Sequence, residues 1–247
     1  SFNEVHIGLN DIHSGIAVWG DYDNDGDLDI LFTGEDSTFI RTTAIYQNEN
    51  DTYQKLSTGI IGLQSGTVAW GDYDNDGDLD ILISGENDNY IAVTRVYQNE
   101  DGVFNDISAG LTGVQFGSAV WADYDQDGDL DILLSGSNHQ GSTTKVYRNN
   151  GGRFTETSPQ LSEFGGHAAW GDYDTDGDLD ILLSGSDGKG NGVTTIYRND
   201  DVLFNEVNIG LPTIDGNIAW GDYDNDGDLD ILISGYDEGF HNPVIQV

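Results

Sequence analysis

The phrase Trp-Gly-Asp-Tyr-Asp-Asn-Asp-Gly-Asp-Leu-Asp-Ile-Leu recurs five times, with small changes, in 247 residues, and each copy places five aspartates within nine positions. The copies start at Trp19, Trp70, Trp121, Trp170 and Trp220, at intervals of 51, 51, 49 and 50 residues. A fixed period of this length marks a repeat architecture, in which each copy is one supersecondary unit that buries its apolar surface against its neighbours. The expectation is one domain, residues 1–247, of five repeats around a shared core.

Within the second copy, residues 66–70 and 79–84 read as strands on either side of the acidic stretch, the latter a short apolar run rich in β-branched residues. Residues 94–98 alternate as a third strand, Asn99-Glu100-Asp101-Gly102 forms a turn, and residues 103–107 return as a fourth. Four antiparallel strands per repeat make a propeller blade. The chain opens with Phe2-Asn3-Glu4-Val5, which matches Phe204-Asn205-Glu206-Val207 of a fourth strand, and stops at Asn242 to Val247, where a third strand belongs. The sequence therefore predicts an all-β fold, a five-bladed β-propeller of four-stranded antiparallel blades. Its ring is closed by pairing of the N-terminal strand with the C-terminal blade, which hides both edges.

Charge narrows the partners. Against 8 basic residues stand 45 acidic ones, a formal net charge of -37, and 25 of the acids lie in the five repeated stretches. Such a field opposes nucleic acid and anionic membrane surfaces. Cysteine is absent, which excludes a disulfide framework, thiolate metal sites and thiol nucleophiles. No apolar run approaches the roughly 18 residues that would suggest membrane insertion, and the first residues lack the basic and apolar regions of a signal peptide. The chain is expected to be either a mature product or a piece of something longer.

The acidic stretch has the spacing of a cation loop. In the first copy Asp21, Asp23, Asp25, Asp27 and Asp29 occupy positions 1, 3, 5, 7 and 9, with Gly26 at position 6. Odd spacing around a tight turn points oxygens inward, glycine permits the turn, and position 7 can offer its backbone carbonyl. The same five positions are Asp72, Asp74, Asp76, Asp78 and Asp80; Asp123, Asp125, Asp127, Asp129 and Asp131; Asp172, Asp174, Asp176, Asp178 and Asp180; and Asp222, Asp224, Asp226, Asp228 and Asp230. All-oxygen ligation suits a hard cation, calcium above magnesium, and the lack of His or Cys ligands argues against zinc. An EF-hand begins in the same way, but its twelfth position is a glutamate, whereas positions 10 to 12 here are Ile30, Leu31 and Phe32, already a strand. About five Ca2+ ions are expected, one per repeat.

This loop, followed by Tyr147-Arg148-Asn149-Asn150-Gly151-Gly152-Arg153-Phe154 in the third copy, resembles the FG-GAP/VCBS repeats, relatives of which occur in integrin α-subunit propellers. The resemblance covers the whole chain. It implies a calcium-bearing propeller of the kind found in extracellular or cell-surface proteins, with the aspartates of each loop as ligands, the position-7 residue through its carbonyl.

The five tryptophans, at one register, are expected to pack between blades, and Tyr22, Tyr73, Tyr124, Tyr173 and Tyr223 to shield the cations. The copies differ most in the second-to-third strand loops, with Phe39, Tyr90, His139, Lys189 and Phe240, and in the fourth-to-first connections, with His13, Gln64, Phe116, Phe164 and Asp215. They also differ three residues before each tryptophan, where His167 stands in the fourth copy. Diverse loops on a fixed scaffold commonly form a binding surface. Tyr90, Phe116, His139, His167 and Tyr236 are its candidate ligand-binding residues. The histidines show no catalytic or ligand spacing and no serine lies in a nucleophile elbow, so no catalytic residue is expected. The leading reading is an extracellular binding or adhesion module for glycan or protein, of open oligomeric state. The alternatives are a domain of a carbohydrate-active enzyme such as a polysaccharide lyase, or a structural unit of an adhesin or fibre.

Overall fold

A computed structural model describes residues 12–157, 161–187, 189, 191–236 and 243–246. Its contacts divide the chain into two compact units, Ser1–Gly113 and Val114–Val247.

The first unit holds two meanders. One runs through β1 (Ile12–Gly20), β2 (Asp29–Asp36), β3 (Arg41–Glu49) and β4 (Thr52–Lys55); the other through β5 (Gln64–Gly71), β6 (Asp80–Glu86), β7 (Ala92–Glu100) and β8 (Val103–Asp106). The second unit continues with β9 (Gln115–Ala122), β10 (Asp131–Asn138), β11 (Gly141–Asn149) and β12 (Phe154–Glu156), then β13 (Gly165–Gly171), β14 (Asp180–Ser186), β15 (Gly192–Asp200) and β16 (Leu203–Val207). It ends in a three-stranded sheet of β17 (Asp215–Gly221), β18 (Asp230–Tyr236) and β19 (Pro243–Gln246). All described pairings are antiparallel between neighbours in sequence, as expected of blades. The expected pairing of Phe2 to Val5 with the last sheet lies outside the described residues.

The second strands β2, β6, β10 and β14 are buried on both faces, which explains why they read as unbroken apolar runs instead of alternations, whereas β18 is partly exposed. Leu31, Ile45, Leu63, Ile81 and Ile83 form the centre of one core cluster in the first unit. Leu133, Val146, Phe164, Ile181 and Leu183 do so in the second. Strands are longer than the sequence suggested: His13, Gln64 and Phe116, expected in connections, belong to β1, β5 and β9. Phe164 is a correction of another kind, since it is 1% exposed in the core and not part of a surface loop.

Close approach of backbones fixes one glycine per sheet. A Cβ on Gly66 would stand 1.8 Å from the Ser84 carbonyl oxygen, so only glycine fits beside the irregularity in register between Gln64 and Thr67. At the other end of the sheets the register is uniform: the last residue of each first strand pairs with the position-9 aspartate, as Gly20 does with Asp29 and Gly71 with Asp80. That rung closes the acidic loop.

Candidate metal centre

The loop folds around its own first carboxylate. Asp21 Oδ1 accepts from the Asp25 N–H at 3.0 Å and Oδ2 from the Gly26 N–H at 3.0 Å, and Asp72, Asp123, Asp172 and Asp222 repeat both bonds. Two left-handed residues make the turn: Asn24 at position 4 has φ 57° and Gly26 at position 6 has φ 93°. Asparagine tolerates that region and glycine has no Cβ to oppose it. At position 9, buried Asp29 accepts from the Tyr22 N–H through Oδ2 and from the Asn48 N–H through Oδ1, tying the loop to β3.

These bonds converge carboxylates. Oxygens of Asp21, Asp23 and Asp29 lie within 4.8 Å of one another, as do those of Asp72, Asp74 and Asp80, and of Asp172, Asp174 and Asp180. In the third and fifth loops the groups are Asp123, Asp125 and Asp127, and Asp222, Asp224 and Asp226. Position 3 carries the most direct sign of a cation. Oδ1 of Asp23, of Asp74 and of Asp125 is buried with no hydrogen-bond donor, a costly arrangement for an anion that faces other anions.

Electrostatics agree. Burial pushes the Asp80 and Asp131 carboxyls up to about 7 and that of Asp180 up to about 6, although backbone N–H donors pull each of them down. Burial also raises Asp74, Asp125 and Asp174, each helped by the next carboxylate in its loop, and the charge of Asp226 raises Asp224. A buried, mutually repelling set of oxygen donors with unpaired lone pairs fits a hard divalent cation, and the all-oxygen chemistry favours Ca2+.

Position 7 points its side chain elsewhere. Asp27 accepts from the Asn50 N–H, Asp129 from the Gly151 N–H and Asp78 from the Asn24 amide, so these carboxylates brace the neighbouring turns and loops.

Two supporting residues in each of the first two repeats escaped the sequence reading. Gln47 and Gln98 donate to Asp23 and Asp74 at 2.7 Å, and Asn48 and Asn99 donate to the Leu28 and Leu79 carbonyls of their own loops. The signal was present in the repeats Tyr46-Gln47-Asn48 and Tyr97-Gln98-Asn99, whose third-strand position is fixed relative to the loop.

Three of the loop tyrosines have a further part in the packing. Tyr22 stacks on Trp70 of the next sheet with centroids 6.1 Å apart, Tyr124 on Trp170 at 5.7 Å, and Tyr173 on Trp220 at 6.4 Å, so they join sheets. Asn24 reaches the Gly77 carbonyl of the next loop, and Gln126 reaches that of Gly177. The tryptophans are likewise not uniformly core: Trp19 is 59% exposed.

Hairpin topology puts the second-to-third strand turns at the sheet ends away from the acidic loops. Tyr90 lies there in the first unit, exposed. In the second unit Phe116 is exposed on β9, His139 is exposed in the β10–β11 turn, His167 is half-buried on β13, and Tyr236 ends β18 half-exposed. Phe116 and His139 thus share one sheet of the second unit, and His167 and Tyr236 stand on the two sheets that follow it in sequence. Around Tyr90 a compact group does form: the Arg41 guanidinium lies over its ring at 4.7 Å and pairs with Glu86 at 2.7 Å, while His13 meets Glu35 at 3.0 Å and Phe39 edge-on.

Consecutive antiparallel sheets, each carrying a nine-residue carboxylate loop at the same corner, define a repeat protein built around hard-cation loops. The FG-GAP-like repeat model matches residues 21–83, 72–134, 123–183 and 172–233, and the chain belongs to that family. No curated protein matches the chain.

Proposed function

We propose that this chain is an extracellular, calcium-stabilised binding module of the β-propeller type, each sheet serving as a blade, and not an enzyme. Its partner is a glycan or an extracellular protein held at the sheet ends remote from the metal loops. One observation carries the reading: Phe39, Tyr90 and Phe116 are 76%, 67% and 62% exposed, and all three sit in the left-handed region, at φ 64°, 60° and 53°. Bulky residues are seldom found there, and strain kept at exposed positions points to function. An aromatic ring held outward on a rigid hairpin offers a flat apolar face at small entropic cost. The negative field makes a neutral or cationic partner the better match.

Glycan-array screening of the full chain in calcium, with the same screen on a Phe39→Ala/Tyr90→Ala variant, tests the proposal. Binding by the parent and its loss in a variant with unchanged melting temperature is the expected result. A ligand bound equally well by both moves the site elsewhere, and turnover of a bound glycan makes the protein an enzyme.

A further inference from the structure

A pair of positions on the third and fourth strands changes its charge from sheet to sheet. The fourth-strand member lies opposite the third-strand tyrosine, in the pairs Tyr97 with Asp106, Tyr147 with Glu156 and Tyr197 with Glu206. The third-strand member stands two residues before that tyrosine, so the two meet on the diagonal of the ladder. On β7 and β8 they are Arg95 and Asp106, which form an ion pair, and on β11 and β12 they are Lys145 and Glu156, with Lys145 Nζ donating at 2.7 Å. On β15 and β16 they are Thr195 and Glu206. The acid is kept and the cation is gone: Glu206 accepts from the Thr195 hydroxyl at 3.3 Å, and among the described residues no basic side chain pairs with it.

Beside Glu206 the fourth sheet has a notch of about 250 Å³. It forms because β16 pairs with β15 only from Ile196 to Asp200, which leaves Gly192 to Thr195 without a partner strand on that side. The chain leaving β16 closes the gap loosely. Thr195 and Glu206 line the notch together with the apolar side chains Val193, Val207, Ile209 and Leu211. All of these belong to the second unit, where β13 contacts both β9 of the preceding sheet and β17 of the following one, so the notch lies on an inner sheet of that unit. The second sheet has a notch at the same place, of about 330 Å³, and there the protein's own Arg95 and Asp106 stand in its wall.

We infer that the notch of the fourth sheet takes a lysine side chain from a partner protein, whose ammonium supplies to Glu206 the charge that Lys145 supplies to Glu156 within the chain. The four methylenes of the stem lie along Val193, Val207, Ile209 and Leu211, and the head reaches the Glu206 carboxylate, with the Thr195 hydroxyl as a second acceptor. The notch has the volume of roughly eight liquid waters, ample for the five heavy atoms of the side chain. Lysine is the better match than arginine because the glutamate of the third sheet takes lysine, whereas arginine goes with the shorter Asp106. A chain of net charge -37 draws basic partners towards it. This site is separate from the aromatic turns assigned above to glycan or protein, and does not rest on that reading.

Titration of the isotope-labelled full chain in calcium with Nα-acetyl-lysine N-methylamide, followed by amide chemical shifts, tests this. Saturable shifts are expected at Thr195, Glu206 and Ile209, and none with the norleucine analogue, which keeps the stem and lacks the charge. Glu206→Gln should weaken binding about fivefold, the effect of one charge pair in water. Thr195→Lys rebuilds within the chain the pair seen on the third sheet and should abolish the response, with an unchanged melting temperature. A parent that does not respond to the lysine probe overturns the proposal, as does an equal response to the norleucine analogue or binding that survives Thr195→Lys.

Discussion

Arg148 Nε lies 2.6 Å from Asp125 Oδ2, and its Nη2 donates to Asp127 at 2.8 Å, in the third loop, where the first and second loops have a neutral glutamine on the corresponding carboxylate. The approach to Asp125 is too poorly aligned to count as a hydrogen bond, leaving both oxygens of that carboxylate without a donor. A fixed positive charge at this point partly replaces the cation and repels it.

Replacing Arg148 with glutamine should therefore tighten calcium binding at the third loop. A charge pair near 4 Å in water is worth about 1 kcal/mol, which corresponds to roughly a fivefold change in affinity. Calorimetric titration of the parent and of Arg148→Gln resolves this, and weaker binding by the variant would refute it.

Calcium should carry a large share of stability. A site held at ten times its dissociation constant adds about 1.4 kcal/mol, a sizeable part of the 5–15 kcal/mol typical of a whole domain. Chelation is expected to lower the melting temperature sharply, and Asp74→Asn, which weakens one loop, to give a partial loss. An unchanged melt after verified metal removal would count against the assignment.

The dependence on pH should change sign with calcium. Without metal, the Asp80 and Asp131 carboxyls have folded-state values near 7, above their ordinary 3.8. A raised folded-state pKa stabilises the fold fully below the unfolded value, and this contribution disappears as pH rises through about 7. The metal-free chain should thus be more stable at mildly acidic than at mildly alkaline pH. Bound calcium favours the ionised carboxylates and reverses the trend, so that acid releases the ion and the stability it provides. Melting curves across this range with chelator and with calcium compare the two slopes, and parallel slopes would contradict the coupling.

One position of the repeat should tolerate in the last copy what it cannot tolerate in the first. Tyr22 is 4% exposed between Trp70 and Phe104, whereas Tyr223 is 76% exposed. Tyr22→Ala should cost about 3–5 kcal/mol, as for other buried aromatics, and Tyr223→Ala, measured at low concentration, within about 0.5 kcal/mol of zero. Denaturant unfolding of both variants provides the comparison.

The metal loop and the strand order were legible because they are local. Nine contiguous residues fix the carboxylate positions, and each strand pairs with its neighbour in sequence through a short turn. Contacts that come from elsewhere were not legible in the same way. The amide of Gln47 reaches Asp23 across 24 residues, and Tyr22 finds its ring partner 48 residues away at Trp70, an arrangement that no local pattern specifies. Phe164 falls in a set that varies among copies as surface residues do, yet it caps a core assembled from five strands of two sheets. Trp19 shares its register with the other four tryptophans, but its exposure depends on whether a neighbouring tyrosine covers it.

The rung that joins Gly20 to Asp29, and its equivalents in the other sheets, insulates one end of each hairpin from changes at the other. An insertion inside the acidic loop would break the rung and scatter the carboxylates. At the opposite end of the hairpin, Asn138 pairs with Gly141 across only His139 and Gln140, seven residues beyond the position-9 aspartate Asp131. A foreign peptide spliced between His139 and Gln140 should leave the cation site intact, which makes this corner a natural graft point for giving the scaffold a new specificity.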